Sequence, residues 1–504
     1  MLIIAMSILF VKNFLRFLQK SSGLKKRRIS LSDTTEKCCR ILQCPYIPGW
    51  QMKQKIDLRN LKKHYKNQEI CDILKEDNIT KLQEALMNAE FYAGNRKRFL
   101  EKLEENAVAF FHSGFAPVKS NDQDMHPFPV NRNFYYLTGI DEQNVWLVMT
   151  KTANGTTETL FIAQPDDFLI KWNGHMITVE EASQYSGVSQ NSVHYMQDMD
   201  RLVAGMVYNG RALSGPPIKA YFSFDRLSMN AAATPSEELA RKLKEKYPAL
   251  EICNAAPLVY NLRSIKAPEE IGKIRRAGEV TVQALKQMMK TAKPGEYEYQ
   301  WQADYEHYVA RSGLRNAFTT IAASGANATM LHYHDNNCIA KDGDLLLLDL
   351  GAECGYYSAD ITRTIPVGGK FTDRQKELWT IVREAMEISK EKMRPGVPTR
   401  EPQQAVIDFY KKALRSAKLI TEDGQIGKYY YHGVSHGLGL DTHDPSDRSI
   451  YEPGMVITNE PGLYVAEEGI GIRLENDILI TEGAPEDLIG NHLLDIDEIE
   501  ALMA

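Results

Sequence analysis

The sequence predicts a mixed α/β (α+β) chain with two structured domains, and three observations carry that prediction. From Ala89 onward, apolar strand-like runs alternate with helical stretches over about 165 residues. In the second half, two pairs of helical stretches are each broken by a basic-Pro-Gly stop, Lys293-Pro294-Gly295 and Arg394-Pro395-Gly396, and are flanked by strand signals. Finally, the apolar run Leu345 to Leu348 follows the turn Lys341-Asp342-Gly343-Asp344 and ends on Asp349, a carboxylate at the end of a buried strand. The domains expected are an extension over residues 1–86, a first α/β domain over 87–256 and a second over 257–504.

In the first domain, Arg96 to Leu103 reads as helix and Ala107 to Phe111 as a buried strand. Further strands are expected at Phe134-Tyr135-Tyr136-Leu137-Thr138-Gly139, Val145 to Met149 and Thr159 to Ala163. Helices are expected near Thr178–Gln184 and over Pro235–Lys246. His112, His126, His175 and His194 show no metal-ligand spacing and are expected to be surface or core histidines. A boundary falls near Asn254–Val259.

The second domain opens at Ala267-Pro268-Glu269-Glu270-Ile271, where proline suits the first turn and the acids suit the positive helix end. A second helix runs from about Tyr297 to Ser312. The pattern recurs with helices over Asp373–Met393 and Glu401–Ser416. Such recurrence suggests a duplicated unit whose two halves would share a site.

Composition narrows the classes of function. The chain has 504 residues, 43% hydrophobic and 25% charged, with a formal net charge of −6, so it can bury substantial cores. Residues 1–85 carry a net +9 and the remainder −15. An acidic body without a basic stripe argues against nucleic-acid binding. Seven scattered cysteines form no disulfide framework, and Cys38, Cys39 and Cys44 lack the paired spacing of a metal knuckle, so reduced thiols and a cytoplasmic setting are expected. Leu2 to Val11 is too short to span a bilayer, and its positive charges follow it rather than precede it. Two readings of the N-terminus stand. One is an extension from an early start codon, with Met87 opening the globular chain. The other is an organelle-targeting or membrane-tethering segment within residues 1–30.

The chemistry concentrates in three stretches. Asp349 is followed eleven residues later by Asp360. If the chain reverses around Cys354-Gly355, the two carboxylates face each other across a strand pair at about 5 Å, and must share a proton or hold a cation. Tyr431-His432-Gly433-Val434-Ser435-His436-Gly437-Leu438-Gly439-Leu440-Asp441-Thr442-His443-Asp444 places three histidines among glycines. Those glycines disfavour helix and permit close backbone approach. In an extended segment His432 and His436 would share a face. Glu460 and Glu475 flank a turn at Glu467-Glu468-Gly469 on apolar strand-like segments, with Arg473 two residues before Glu475. Buried acids with imidazole point to a metal. Four carboxylates neutralise two divalent cations, and an oxygen-rich set favours Mn2+, with Zn2+, Co2+ or Fe2+ as alternatives. Two such ions sharing a water are the equipment of metal-assisted hydrolysis. A serine nucleophile is disfavoured, since no GxSxG occurs.

These motifs, together with Leu331-His332-Tyr333, Asp360-Ile361-Thr362-Arg363-Thr364, Glu460-Pro461-Gly462 and Arg473-Leu474-Glu475, resemble the aminopeptidase P and prolidase group of pita-bread metallopeptidases. The resemblance runs from about Glu90 to the C-terminus. It implies a C-terminal pita-bread domain preceded by a smaller α/β creatinase-like domain, to which Phe134–Gly139 belongs. It further implies that Asp349, Asp360, His436, Glu460 and Glu475 ligate two metal ions, with Asp360 and Glu475 bridging and Asp349 on one ion. Glu460 would be the acid/base partner of a metal-bridging hydroxide. His432 and His443 would bind substrate and stabilise the tetrahedral intermediate, His332 would assist near the scissile amide, and Arg473 would hold His443 or nearby carboxylates. The implied reaction is release of the N-terminal residue from peptides with proline second, by a homo-oligomer (dimer or tetramer). The alternatives are an Xaa-Pro dipeptidase (prolidase) and, from a different class, a metal-free interaction module of the same fold.

Overall fold

The computed structural model describes residues 87–504 apart from 118–119, 121–127, 209–216 and 227. The readings of Cys38, Cys39, Cys44 and residues 1–86, and of His126, lie outside the described residues.

The first half is built on one sheet. Its elements are α1 (Ala89–Lys102), β1 (Ala107–His112), α2 (Arg132–Thr138), β2 (Trp146–Thr152), β3 (Gly155–Ile162), α3 (Asp167–Asn173) and α4 (Val179–Ser186). They continue with β4 (Val193–Tyr195), α5 (Met199–Val207), β5 (Lys219–Phe222), α6 (Pro235–Lys246), β6 (Glu251–Asn254) and α7 (Ala256–Arg263). The six strands are ordered β4-β3-β2-β1-β5-β6. The central β1 is antiparallel to β2 and parallel to β5, so both its faces are buried, as its unbroken apolar run requires.

Phe134–Gly139 is a correction. The sequence suggests a strand there, but Arg132–Thr138 is a helix. Asn131 caps it by accepting from Phe134 N–H, and Gly139 ends it in the left-handed conformation at φ 66°. Every residue from Asn133 to Thr138 is buried. A short helix buried on all sides loses its polar face, and with it the period that separates helix from buried strand.

The second half contains α8 (Pro268–Met289), α9 (Glu298–Arg311), β7 (Arg315–Asn316), β8 (Ile321–Ser324), β9 (Leu345–Leu350), β10 (Ala352–Cys354), β11 (Tyr357–Ser358) and β12 (Ile361–Pro366). Then come α10 (Asp373–Lys390), α11 (Glu401–Ser416), β13 (Val456–Asn459), β14 (Gly462–Val465), β15 (Ile470–Arg473), β16 (Asn476–Leu479), β17 (Glu486–Asp487) and α12 (Ile496–Met503). Small antiparallel sheets, β12-β9-β8 and β14-β15 among them, pack against the two helix pairs. Proline in the first turn, with the Glu270 carboxylate accepting from Ala267 N–H at 2.7 Å, starts α8 as the sequence suggests.

The β9–β12 hairpin has a different register from the one expected. Asp349 pairs with Thr362 rather than Asp360, because the reversal is a two-residue turn at Gly355-Tyr356 with both residues at positive φ. Relative to the expected pairing, the partner shifts by two residues. With a side-chain period of two, both carboxylates therefore stay on one face as diagonal neighbours. Tyr356 holds φ 69° because its ring lies between the Arg132 and Arg315 guanidiniums and its hydroxyl donates to Asp141 Oδ1 at 2.6 Å. The hairpin tip is thus tied to the first sheet domain.

Candidate metal and peptidase site

Asp349 comes from β9, Asp360 from the residue before β12, and His436 from the glycine-rich stretch. Glu460 follows β13, and Glu475 links β15 to β16. Ligand atoms of Asp360, His436 and Glu475 all lie within 4.8 Å of one another. Glu460 joins them, with its Oε1 3.5 Å from His436 Nε2. Asp349 is connected through Arg473 and leaves its Oδ1 buried without a hydrogen-bond partner. An orphaned carboxylate oxygen in a wall of acids is a donor waiting for a cation.

The electrostatics agree. Burial, followed by the charges of Glu475 and Asp349, raises Asp360 well above the usual carboxylate range. Burial and then Glu460 and Asp349 do the same to Glu475. Glu460 is pushed up to about 8 by burial, with Asp349 adding to the rise and Arg473 opposing it. Asp360, Glu460 and Glu475 are thus all driven toward their protonated forms, which a cation among them would reverse.

His436 is lowered to about 4, chiefly by burial, and is therefore neutral at physiological pH. Its Nδ1 lies 2.9 Å from the Gly437 carbonyl, which only accepts, so Nδ1 carries the proton. The lone pair on Nε2 then faces Asp360 Oδ2 at 3.6 Å and Glu460 Oε1 at 3.5 Å. The donor set, one imidazole lone pair and several carboxylate oxygens, fits divalent ions.

The expectation that His432 and His436 share a face of an extended segment fails. Residues 432–444 form a series of bends with one bridge, Gly437 to Ile457. Both imidazoles nevertheless reach Glu460, His432 Nδ1 at 3.7 Å from its Oε2. His432 is also neutral, lowered to about 4 by burial and then by Arg473. It is fixed between the Gly433 carbonyl and the Tyr464 hydroxyl. The close approach expected of the glycines occurs at Gly437 and Gly439. A Cβ there would lie 2.5 Å from the Asp444 carbonyl oxygen and 2.8 Å from Asp444 Oδ2, respectively.

Arg473 is buried and reaches Asp349 rather than His443. It donates to Asp349 Oδ2, to the Tyr464 hydroxyl at 3.0 Å and to Thr362 Oγ1 at 3.2 Å. His443 is exposed, with its ring centroid 4.3 Å from that of His436. His332 is also exposed. A cleft of about 820 Å³ is walled by His332, Asp349, Asp360 and His443, together with Asn133 and Arg263 at its far side.

Sequence reasoning missed several partners. Thr362 Oγ1 donates to Glu475 Oε2 at 2.6 Å, Thr458 Oγ1 donates to Glu460 Oε1 at 3.3 Å, and Asp477 accepts from the Asp360 backbone N–H. Thr362 and Asp477 each stand two residues from a carboxylate already singled out, Asp360 and Glu475. That alternation was the available signal. Tyr464 carries no comparable signal.

A family model for metallopeptidase family M24 matches residues 272–482, and one for the aminopeptidase P N-terminal domain matches residues 92–213. The Xaa-Pro aminopeptidase of Escherichia coli (strain K12) is 33% identical over 437 residues, spanning 81% of this chain and 96% of its own length. The mitochondrial intermediate cleaving peptidase 55 of Arabidopsis thaliana is 30% identical over 439 residues, spanning 82% of this chain and 83% of its own. The structure of aminopeptidase P from E. coli with the inhibitor Pro-Leu superposes with a TM-score of 0.74 at 32% identity, covering 83% of this chain and 98% of that one. From sheet to metal centre, the chain belongs to the aminopeptidase P family of M24 metallopeptidases, with an aminopeptidase P N-terminal domain preceding a pita-bread domain.

Proposed function

We propose that this chain is a metal-dependent exopeptidase that releases the N-terminal residue from peptides with proline in the second position. The observation that carries this reading is the donor cluster, in which ligand atoms of Asp360, His436 and Glu475 lie within 4.8 Å of one another and the His436 Nε2 lone pair faces Asp360 and Glu460. In this reading Asp349, Asp360, His436, Glu460 and Glu475 would hold two divalent ions. Mn2+ is the expected ion for so oxygen-rich a set. When bound, such ions lower the pKa of a water shared between them and polarise the scissile carbonyl.

The chain's own side chains do the rest. Glu460, beside His436 and accepting from Thr458 Oγ1, would take a proton from the attacking water and return it to the departing proline nitrogen. His432 and His443 bind the substrate and stabilise the tetrahedral arrangement, and His332 acts at the scissile amide. Arg473 balances the charge of Asp349 and holds it in place. An Xaa-Pro bond has no amide N–H, so recognition falls to the shape of the cleft. Its volume of about 820 Å³ accommodates more than a dipeptide. The likeness to the E. coli Xaa-Pro aminopeptidase favours aminopeptidase P action over that of prolidase.

Chelator-stripped protein re-fed with Mn2+ and offered Xaa-Pro dipeptides and Xaa-Pro-Yaa tripeptides tests the reading. Tripeptide cleavage restored by Mn2+ is expected. Cleavage of dipeptides alone would make the chain a prolidase, and metal-independent behaviour with no hydrolysis would make it an interaction module. We further infer a homo-oligomer, dimer or tetramer, acting in the cytoplasm or, as for the Arabidopsis relative, in mitochondria. Among the described residues no helix is long and apolar enough to cross a membrane.

A further inference from the structure

Glu298, the first residue of α9, is completely buried. A carboxylate in that position must recover the hydration it has lost, and it does so with five hydrogen bonds. Its Oε1 accepts from Ser324 N–H at 2.7 Å, Ser324 Oγ at 2.7 Å and Asn327 Nδ2 at 3.0 Å. Its Oε2 accepts from the Tyr333 hydroxyl at 2.7 Å and Cys338 N–H at 2.9 Å. All five donors belong to the segment 324–338, which joins β8 to the strand-like return at Cys338–Ala340. The segment is irregular apart from one short 3-10 turn, Gly325–Thr329. Its far end is strapped to the same helix start, with Ala340 N–H donating to the Glu296 carbonyl at 2.9 Å.

The segment carries His332. Leu331 and His332 lie in a turn, and Tyr333 to Asn337 is irregular. Tyr333 is buried and points inward to Glu298, whereas His332 and His334 are exposed. Both histidines line the cleft beside Asp349 and Asp360. Their rings lie nearly parallel, at 13° and 6.1 Å between centroids. One turn further along, Asn336 holds φ 44° while it accepts from Ala322 N–H and donates to Gln302 Oε1, a second attachment to α9.

We propose that Glu298 is a positioning residue for the reaction: its carboxylate gathers the segment 324–338, draws Tyr333 inward, and so presents His332, with His334 beside it, to the substrate cleft. The assignment rests on the role proposed above for His332. Glu298 touches neither the cleft nor any proposed metal ligand. Its loss therefore acts on the imidazole side of the site and leaves the metal side intact.

A double-mutant cycle on the full chain loaded with Mn2+ tests it, with an Xaa-Pro-Yaa tripeptide as substrate. The variants are Glu298→Gln, Tyr333→Phe, His332→Ala and the pairs with His332→Ala. Glutamine keeps the shape of Glu298 but turns an amide NH2 toward donors, and Tyr333→Phe removes only the hydroxyl, whose short bond is to Glu298 and whose longer contacts are to Asn337, so folded protein is secured by the milder change. Glu298→Gln is expected to lower kcat tenfold or more, with KM and the Mn2+ affinity measured by titration each changing less than about threefold. In the His332→Ala background the same change is expected to cost nothing further. Multiplicative losses in the double variant, a parallel fall in Mn2+ affinity, or an unchanged kcat in both Glu298→Gln and Tyr333→Phe would overturn the proposal. A wild-type kcat in His332→Ala would refute the assigned role of His332 and this inference with it. An impaired His332→Ala beside unimpaired Glu298→Gln and Tyr333→Phe refutes the inference alone.

Discussion

Arg473 Nη2 donates to Asp349 Oδ2 at 2.5 Å, joining two strands that lie 124 residues apart in the sequence. Burial works against the Arg473 charge, but Tyr464, Asp349 and Glu475 more than offset it and raise its pKa. The guanidinium bonds Asp349, Thr362 and Tyr464 from three separate nitrogens, a planar spread that the single nitrogen of a lysine does not reproduce. Arg473→Lys is therefore expected to weaken metal binding by about 10- to 100-fold, the usual cost of losing an outer-shell partner. Mn2+ titration checks it, with circular dichroism to confirm that the fold is retained.

Asp360 lies between the charges of Glu475 and Asp349 and within reach of His436. The resemblance carried by its sequence motif implies that it would serve both ions. Asp360→Asn removes a negative charge and is expected to lose both metals together, which metal analysis after dialysis would show as near-zero content. Retention of two ions with full activity would make the hairpin scaffold only.

Gly437 and Gly439 press against Asp444, whose carboxylate is held by Arg263 at 2.5 Å and Lys266 at 3.1 Å. Asp444 cannot yield without breaking two buried ion pairs. Gly437→Ala puts a methyl group 2.5 Å from the Asp444 carbonyl oxygen. It is expected to destabilise the fold by about 1–3 kcal/mol, as overpacking does. It should also lower kcat, because His436 and His443 flank the contact. Denaturant unfolding and steady-state kinetics measure the two effects.

Glu270 accepts from Ala267 N–H at the start of α8 and from the Tyr357 hydroxyl at 2.9 Å. Burial raises its pKa to about 7. An acid raised in the folded state binds its proton more tightly there than in the unfolded chain, so its contribution to stability is complete below about pH 4.5. That contribution is lost as pH rises toward 7. The loss is on the order of 3 kcal/mol, at about 1.4 kcal/mol per pH unit. Glu270→Gln is expected to flatten this part of the stability–pH profile measured by denaturant titration between pH 4.5 and 7. An unchanged slope would show that other groups carry it.

Much of this molecule is legible in the chain itself. The runs Ala107–Phe111 and Leu345–Leu348 and the helical stretches Pro235–Lys246 and Glu401–Ser416 depend on local chemistry, and local chemistry is written in order along the sequence. Tertiary structure alone decided the rest. The segment Phe134–Gly139 is helical because packing on every side erased its period, and Asp349 faces Thr362 because a strained Tyr356, clamped by two arginines, set the turn. Arg473 chose Asp349 over His443, and Glu298 came to hold the His332 segment, through contacts between residues far apart in the chain. Such pairings depend on which surfaces meet when the sheets and helices close. No periodicity or spacing within one stretch encodes that meeting.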